Sequence, residues 1–171
     1  MTKILFVCHG NICRSPMAEF VMKHMVRQAG FEKDYEISSA AATCEELGND
    51  MYPPAKRKLT REGIPFTRRE AQLMTRADYR RYDHIIGMDR DNLARIQRIC
   101  GGDPDGKMSM LLDWSEGKRK GCNVADPWFT GDFDITYDDI TEGCSGLLKS
   151  LESSKTRLHW KNSKDVRSED S

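Results

Sequence analysis

"ILFVCHGNICRSPMAEFV", residues Ile4 to Val21, runs through three patterns in succession. Ile4 to Val7 is an unbroken apolar run, as expected of a short strand covered on both faces. Cys8 to Ser15 is a loop of eight residues. Beyond Pro16 the apolar residues recur at helical spacing, with Met17, Phe20, Val21, Met25 and Val26 on one face. Ser15 is read as the helix N-cap, Pro16 as its first residue and Gly30 as its end. Strand, loop and helix open a βαβ unit.

The alternation continues downstream. A second strand is predicted over Tyr35 to Ala41, and a helix follows Pro53 and Pro54 through Lys56 to Arg61, ending at Gly63. A short helix begins at Thr75 or Asp78, and "HIIGM", His84 to Met88, reads as a third buried strand. Asp91 to Cys100 is predicted helical, with Leu93, Ile96 and either Ile99 or Cys100 inward and Gly101-Gly102 as its stop. Met108 to Leu112 is the fourth strand, Asp113 to Val124 a polar loop, and Ile135 to Leu151 the closing amphipathic helix. Strands alternating with helices mean an α/β fold with a parallel sheet. Residues 1–152 make one domain, and the polar stretch 153–171 is expected to be a disordered tail.

Composition narrows the function. The chain has 171 residues, enough for one domain that buries roughly 70% of its unfolded surface. Lys plus Arg and Asp plus Glu both count 27, so the net charge is zero, which argues against nucleic-acid and membrane-surface partners. No apolar stretch approaches the ~18 residues of a membrane span, and Ile4 to Val7 is too short for a signal-peptide core. A cytoplasmic protein is expected, with its six cysteines as free thiols. The runs Lys56-Arg57-Lys58 and Lys118-Arg119-Lys120 read as solvated faces, the second also as a possible guide for anionic peptides.

The first loop carries the chemistry. Ligands of open α/β sheets bind where strands end and helices begin, and Cys8 to Ser15 lies at such a place. Its backbone N–H groups and the first helical turn can converge on an oxyanion. Gly10 is read as allowing a backbone path that a side chain would obstruct. A lone cysteine after a strand is more often a small buried hydrophobe. Here an arginine follows after five residues, and a nearby guanidinium and helix N-terminus turn a thiol into a thiolate nucleophile. Arg14 offers a planar fork for two phosphate oxygens. Asn11 and Ser15 can hold the loop open, and Ser15 can also bond the sulfur of Cys8. Cys8, His9 and Cys13 lack a fourth ligand at a usual zinc spacing, so no metal is expected.

These residues carry a resemblance. "VCHGNICRSPMAE" (Val7 to Glu19), with "SSAAA" (Ser38 to Ala42), "MDRDN" (Met88 to Asn92) and "DPW" (Asp126 to Trp128), resembles the low-molecular-weight protein tyrosine phosphatases over about Lys3 to Leu151. The resemblance implies a four-stranded parallel sheet of order 2-1-3-4 flanked by helices. It implies Cys8 as the nucleophile of a cysteinyl-phosphate, Arg14 as the group on the transferring phosphoryl, and His9, Gly10, Asn11, Ile12, Cys13 and Ser15 as the rest of the phosphate-binding loop. Asp-Pro alone is a turn signal. Its likeness to the family's acid loop makes Asp126 the candidate general acid and base, with Trp128, Phe129 and Glu45 as pocket walls. The implied substrate is a phosphotyrosine protein or peptide, acted on without cofactor by a monomer or weak dimer.

Ile12, where arginine phosphatases of this family tend to carry threonine, favours phosphotyrosine over phosphoarginine, which stays as an alternative beside a catalytically idle phosphate-binding module. Isolated cysteines downstream disfavour arsenate reduction. Two departures from the family pattern stand out. Glu45 and Glu46 occupy the region of an aromatic wall, which disfavours acidic peptides, and Arg68-Arg69-Glu70 stands where a histidine usually supports the phosphate loop. Cys13 is read either as a disulfide partner of Cys8 or as a buried space-filling thiol. Asp132, Asp134, Asp138 and Asp139 read as solvated or capping acids.

Overall fold

The computed structural model describes residues 1–168, with side chains as far as Lys164. Strands β1 (Thr2–Cys8), β2 (Tyr35–Ala41), β3 (His84–Gly87) and β4 (Met108–Met110) form one sheet in the order β2-β1-β3-β4, all neighbours parallel. Helices α1 (Arg14–Gln28), α2 (Pro53–Arg61), α3 (Asp78–Arg81), α4 (Arg90–Cys100), α5 (Pro127–Thr130) and α6 (Phe133–Ser168) flank it. The α/β architecture and strand order agree with the expectation.

The central position of β1 explains its unbroken apolar run. Ile4, Phe6 and Cys8 face one core with Met17 and Val21 of α1 and Ile140 and Leu147 of α6. Leu5 and Val7 face a second core with Ile85 of β3, Tyr79 of α3 and Ile96 of α4. With both faces dry, period-two alternation of polarity has no place to appear, and each large side chain gains roughly 1.5–3 kcal/mol from burial. The same geometry fixes where chemistry sits. β1 ends at Cys8, level with Ala41 of β2, and four sequence-distant loops gather beyond that edge.

Helix α6 touches the molecule through its backbone. A Cβ on Gly146 would lie 2.0 Å from the Trp114 carbonyl oxygen, and one on Gly143 would lie 2.5 Å from Leu111 Cγ. The 3-10 turn Leu111–Trp114 therefore lies directly against the helix. Gly146→Ala is expected to cost about 1–3 kcal/mol by overpacking, more than alanine's helix propensity returns. Thermal unfolding should show a midpoint lowered by roughly 2–10 °C, and an unchanged or raised midpoint would show that the contact yields.

Three local expectations are corrected. Cys13, not Ser15, is the N-cap of α1 and makes no side-chain capping bond. The Ser15 hydroxyl is engaged with Cys8 and Asn11 instead, and Pro16 falls within the first turn, where a missing N–H costs nothing. The fourth strand stops at Met110 because the chain tightens into the 3-10 turn. The stretch expected to be disordered from 153 is helical through Ser168, while Glu169 to Ser171 lie outside the described residues. Low hydrophobicity opposes burial but not helix formation. Lys155 pairs with Glu152 at 3.1 Å and lies 4.2 Å over the Tyr35 ring, which ties this polar turn to β2.

Candidate active site

The loop between β1 and α1 is organised by Asn11. It is the only described non-glycine residue with positive φ, at 59°, and only 1% of its surface is exposed. Asparagine tolerates this region because its side chain can bond locally. Here its amide nitrogen donates to Ser15 Oγ at 2.8 Å and to Ser39 Oγ at 2.9 Å. Its carbonyl oxygen accepts from the Gln72 backbone N–H at 3.2 Å and from the Arg69 guanidinium. The positive φ thus falls on Asn11 rather than on Gly10. Gly10 serves by close approach, since a Cβ there would meet Glu46 Cγ at 3.1 Å.

Cys8 Sγ lies 3.0 Å from Ser15 Oγ and 3.4 Å from the Ser15 backbone nitrogen. Because Ser15 Oγ already accepts the Asn11 amide proton, its own hydrogen is free to point at the sulfur. Two donors on the first turn of α1 therefore aim at one atom. Cys13 lies on the same loop. Burial and the nearby Cys8 and Asp126 push its thiol up to about 12, so at neutral pH it stays protonated.

Arg14 reaches across to the far side of the pocket. One terminal nitrogen donates to Asp89 Oδ2 at 2.7 Å and to the Val124 carbonyl at 3.2 Å, and the other to Asp126 Oδ2 at 3.3 Å. Burial opposes its charge, but Cys8, Asp126 and Asp89 outweigh that and raise it above the ordinary arginine value. Asp89 is itself held, as the N-cap of α4, by a capping box with Asn92. Asp126 caps α5, accepting from the Trp128 backbone at 3.1 Å through Oδ1 while Oδ2 faces Arg14.

These groups line one cavity of about 590 Å³ that takes in Cys8, His9, Gly10, Ile12, Cys13 and Arg14 from the loop, Glu45 and Glu46 from the segment after β2, Asp89 and Asp91 near α4, and Asp126, Trp128 and Phe129. All the wall residues expected from the sequence are therefore present. Trp128 and Phe129 are 64% and 86% exposed, and Tyr52 packs behind Trp128 with ring centroids 5.6 Å apart. His9 Nε2 is 2.8 Å from Glu45 Oε2 at the rim. Asn11 and Ser15 lie beneath the floor and shape the loop from below.

The sequence reading missed three participants. Arg69 stands where support for the loop was in doubt, and it supplies that support through the Asn11 side chain. Asp89 lay inside the "MDRDN" stretch without a role assigned to it, and Tyr52 had no pattern of its own. The possible steering role of the second basic run is displaced for Arg119, whose guanidinium is bound to Asp139, and Asp139 is a buried partner rather than a solvated acid.

Fold and site together define an α/β protein with an anion cradle between a thiol and a guanidinium at the carboxyl edge of its sheet. Residues 3–157 match the model of the low molecular weight phosphotyrosine protein phosphatases, and the chain belongs to that family. The low molecular weight protein-tyrosine-phosphatase YfkJ of Bacillus subtilis is 34% identical over 155 residues, covering 91% of this chain and 99% of YfkJ. The YfkJ crystal structure has a TM-score of 0.86 to this chain, over 91% of it and 97% of YfkJ. SP-PTP, the low molecular weight protein tyrosine phosphatase of Streptococcus pyogenes, is 36% identical with a TM-score of 0.80, over 93% and 99% of the two chains. A Drosophila arginine phosphatase is also similar, at 26% identity and a TM-score of 0.79, over 88% and 98%.

Proposed function

We propose that this chain is a protein-tyrosine phosphatase that hydrolyses phosphotyrosine in proteins or peptides, and small aryl phosphates, through a cysteinyl-phosphate. The observation that carries the reading is the convergence of Cys8, Arg14 and Asp126 on one cavity. The Cys8 thiolate attacks phosphorus in line, forming the S–P bond as the P–O bond to the phenol breaks. Asp126, protonated at this stage, gives its proton to the leaving oxygen. Arg14 and the backbone N–H groups of residues 9–14 hold the equatorial oxygens, whose charge spreads in a loose transition state. In the second half Asp126, now a carboxylate, takes a proton from water. The water oxygen bonds to phosphorus, the S–P bond breaks, and phosphate leaves with the thiolate restored. Donors on Cys8 from Ser15 stabilise that sulfur as a leaving group.

Trp128 and Phe129 supply faces for a flat ring, and Glu45 and Glu46 place negative charge at the mouth, so basic or neutral flanking sequence suits the site better than acidic sequence. No described helix is long and apolar enough to cross a membrane. With six free cysteines, a cytoplasmic location is the reading that fits. Release of phosphate from 4-nitrophenyl phosphate in the presence of a chelator tests the proposal. Tight phosphate binding without turnover would replace it with an idle binding module.

The likeness to an arginine phosphatase keeps phosphoarginine as the second substrate to compare. Ile12 lines the cavity beside the nucleophile. Its branched side chain suits an aromatic ring, whereas a hydroxyl there offers a polar partner to a guanidinium. Ile12→Thr is expected to raise the ratio of phosphoarginine to phosphotyrosine kcat/KM roughly tenfold. A ratio unmoved by the change would remove Ile12 from substrate choice.

A further inference from the structure

The three residues before Asp126 are tied down from several directions. The Asn123 carbonyl accepts from Arg119 Nη2 at 3.0 Å, and the Asn123 side chain accepts from the Arg90 backbone N–H at 3.1 Å. Val124 donates its N–H to the Met88 carbonyl at 2.8 Å. Ala125 donates its N–H to Asp139 Oδ2 at 3.0 Å, and its carbonyl accepts from Thr136 Oγ1 at 2.7 Å. Asp139 is 4% exposed and Thr136 is fully buried, both one turn apart on α6. The same Asp139 carboxylate receives Arg119 through two bonds of 3.0 Å, from Nε and from Nη2. A buried carboxylate with three N–H donors is well satisfied, and removing it leaves the Arg119 and Ala125 donors unpaired.

We infer that Asp139, with Thr136 and Arg119, is a positioning clasp that sets the place of the general acid, an inference that rests on the role proposed for Asp126. Neither Asp139 nor Thr136 lines the cavity. Both act one residue upstream of Asp126, on the N–H and the carbonyl of a single peptide-flanking residue, so they fix the direction in which the chain enters the α5 turn. Asp126 meets Arg14 at 3.3 Å only if that entry is held. A shift of about 1 Å in a proton donor can cost as much as 10²-fold in rate. The nucleophile and the phosphate loop belong to β1 and α1, whereas Arg14 bonds the Val124 carbonyl of this segment at 3.2 Å, so the dependence on the leaving group is what separates an effect on the acid from one on the arginine.

The role is read from how a change depends on the leaving group. Asp139→Asn keeps the volume, but it removes the charge that pairs with Arg119 and turns one of the two acceptor oxygens into an N–H donor facing the Arg119 and Ala125 donors. Its kcat/KM for phenyl phosphate, which needs the proton, is expected to fall about tenfold, while that for 4-nitrophenyl phosphate falls no more than about twofold. Competitive inhibition by inorganic phosphate should stay unchanged. In an Asp126→Ala background the further change at Asp139 should have no effect on either substrate. Thr136→Val, which removes the bond to the Ala125 carbonyl, should repeat the pattern and carries the test if Asp139→Asn does not fold. An equal loss on both substrates, or a loss that persists in the Asp126→Ala background, overturns the positioning role. If Asp126→Ala alone slows both substrates equally, the acid assignment itself fails and takes the clasp with it.

Discussion

Cys8→Ser is expected to reduce turnover of every phosphomonoester by about 10⁴-fold or more, while phosphate still binds. The substitution exchanges one atom at a site 4% exposed, so the packing of β1 against α1 is nearly untouched. What changes is the chemistry of the attacking atom. The Ser15 hydroxyl at 3.0 Å and N–H at 3.4 Å can sustain a sulfur anion, which is large and readily formed. The same donors cannot hold a serine as an alkoxide at neutral pH, and no described base stands beside it to take the proton. Steady-state assay together with phosphate titration separates the two consequences. Turnover within tenfold of the parent would show that phosphorus is attacked by something other than this residue.

Arg14→Lys should lower kcat by about 10³-fold even though the charge is kept. The guanidinium spans two carboxylates and a carbonyl with nitrogens that lie in one plane, reaching Asp89 at 2.7 Å and Asp126 at 3.3 Å. A lysine has a single nitrogen and cannot meet both or present a fork to two phosphate oxygens. The position is 3% exposed, so a shorter cation also leaves a partly buried carboxylate without its partner. Stability should therefore drop along with rate, seen as a lower unfolding midpoint in the same preparation. An unchanged kcat would mean that charge alone, not fork geometry, supports the phosphoryl group.

What the sequence made legible was local. β1, the loop and α1 are consecutive, so the apolar run, the Cys-to-Arg spacing and the helical period could be read without any tertiary knowledge, and the cavity is lined by the loop residues named from them except Asn11 and Ser15, which lie beneath it. That the sheet is parallel was readable from strands alternating with helices, whereas the order 2-1-3-4 came from the family resemblance. Partners separated by long stretches were not readable. Asn11 meets Arg69 across 58 positions and Arg14 meets Asp89 across 75, and although both stretches stood out in the sequence, nothing in it paired these side chains. Ser15 was misassigned for a related reason. A serine before a proline is a good cap by local preference, but a sulfur seven residues earlier claims its hydroxyl. Asp139 looked like one of several acids near the start of α6, and only burial against Arg119 and Ala125 sets it apart.

The short helix Pro127–Thr130 is anchored at its entry but presents Trp128 and Phe129 almost bare to solvent. On the role proposed for Asp126, the acid and the surface that greets a substrate are thereby decoupled within four residues of chain. Substitutions at Trp128 and Phe129 would then retune which sequences are accepted while the acid keeps its alignment, so such a scaffold can diversify its clientele without relearning its reaction.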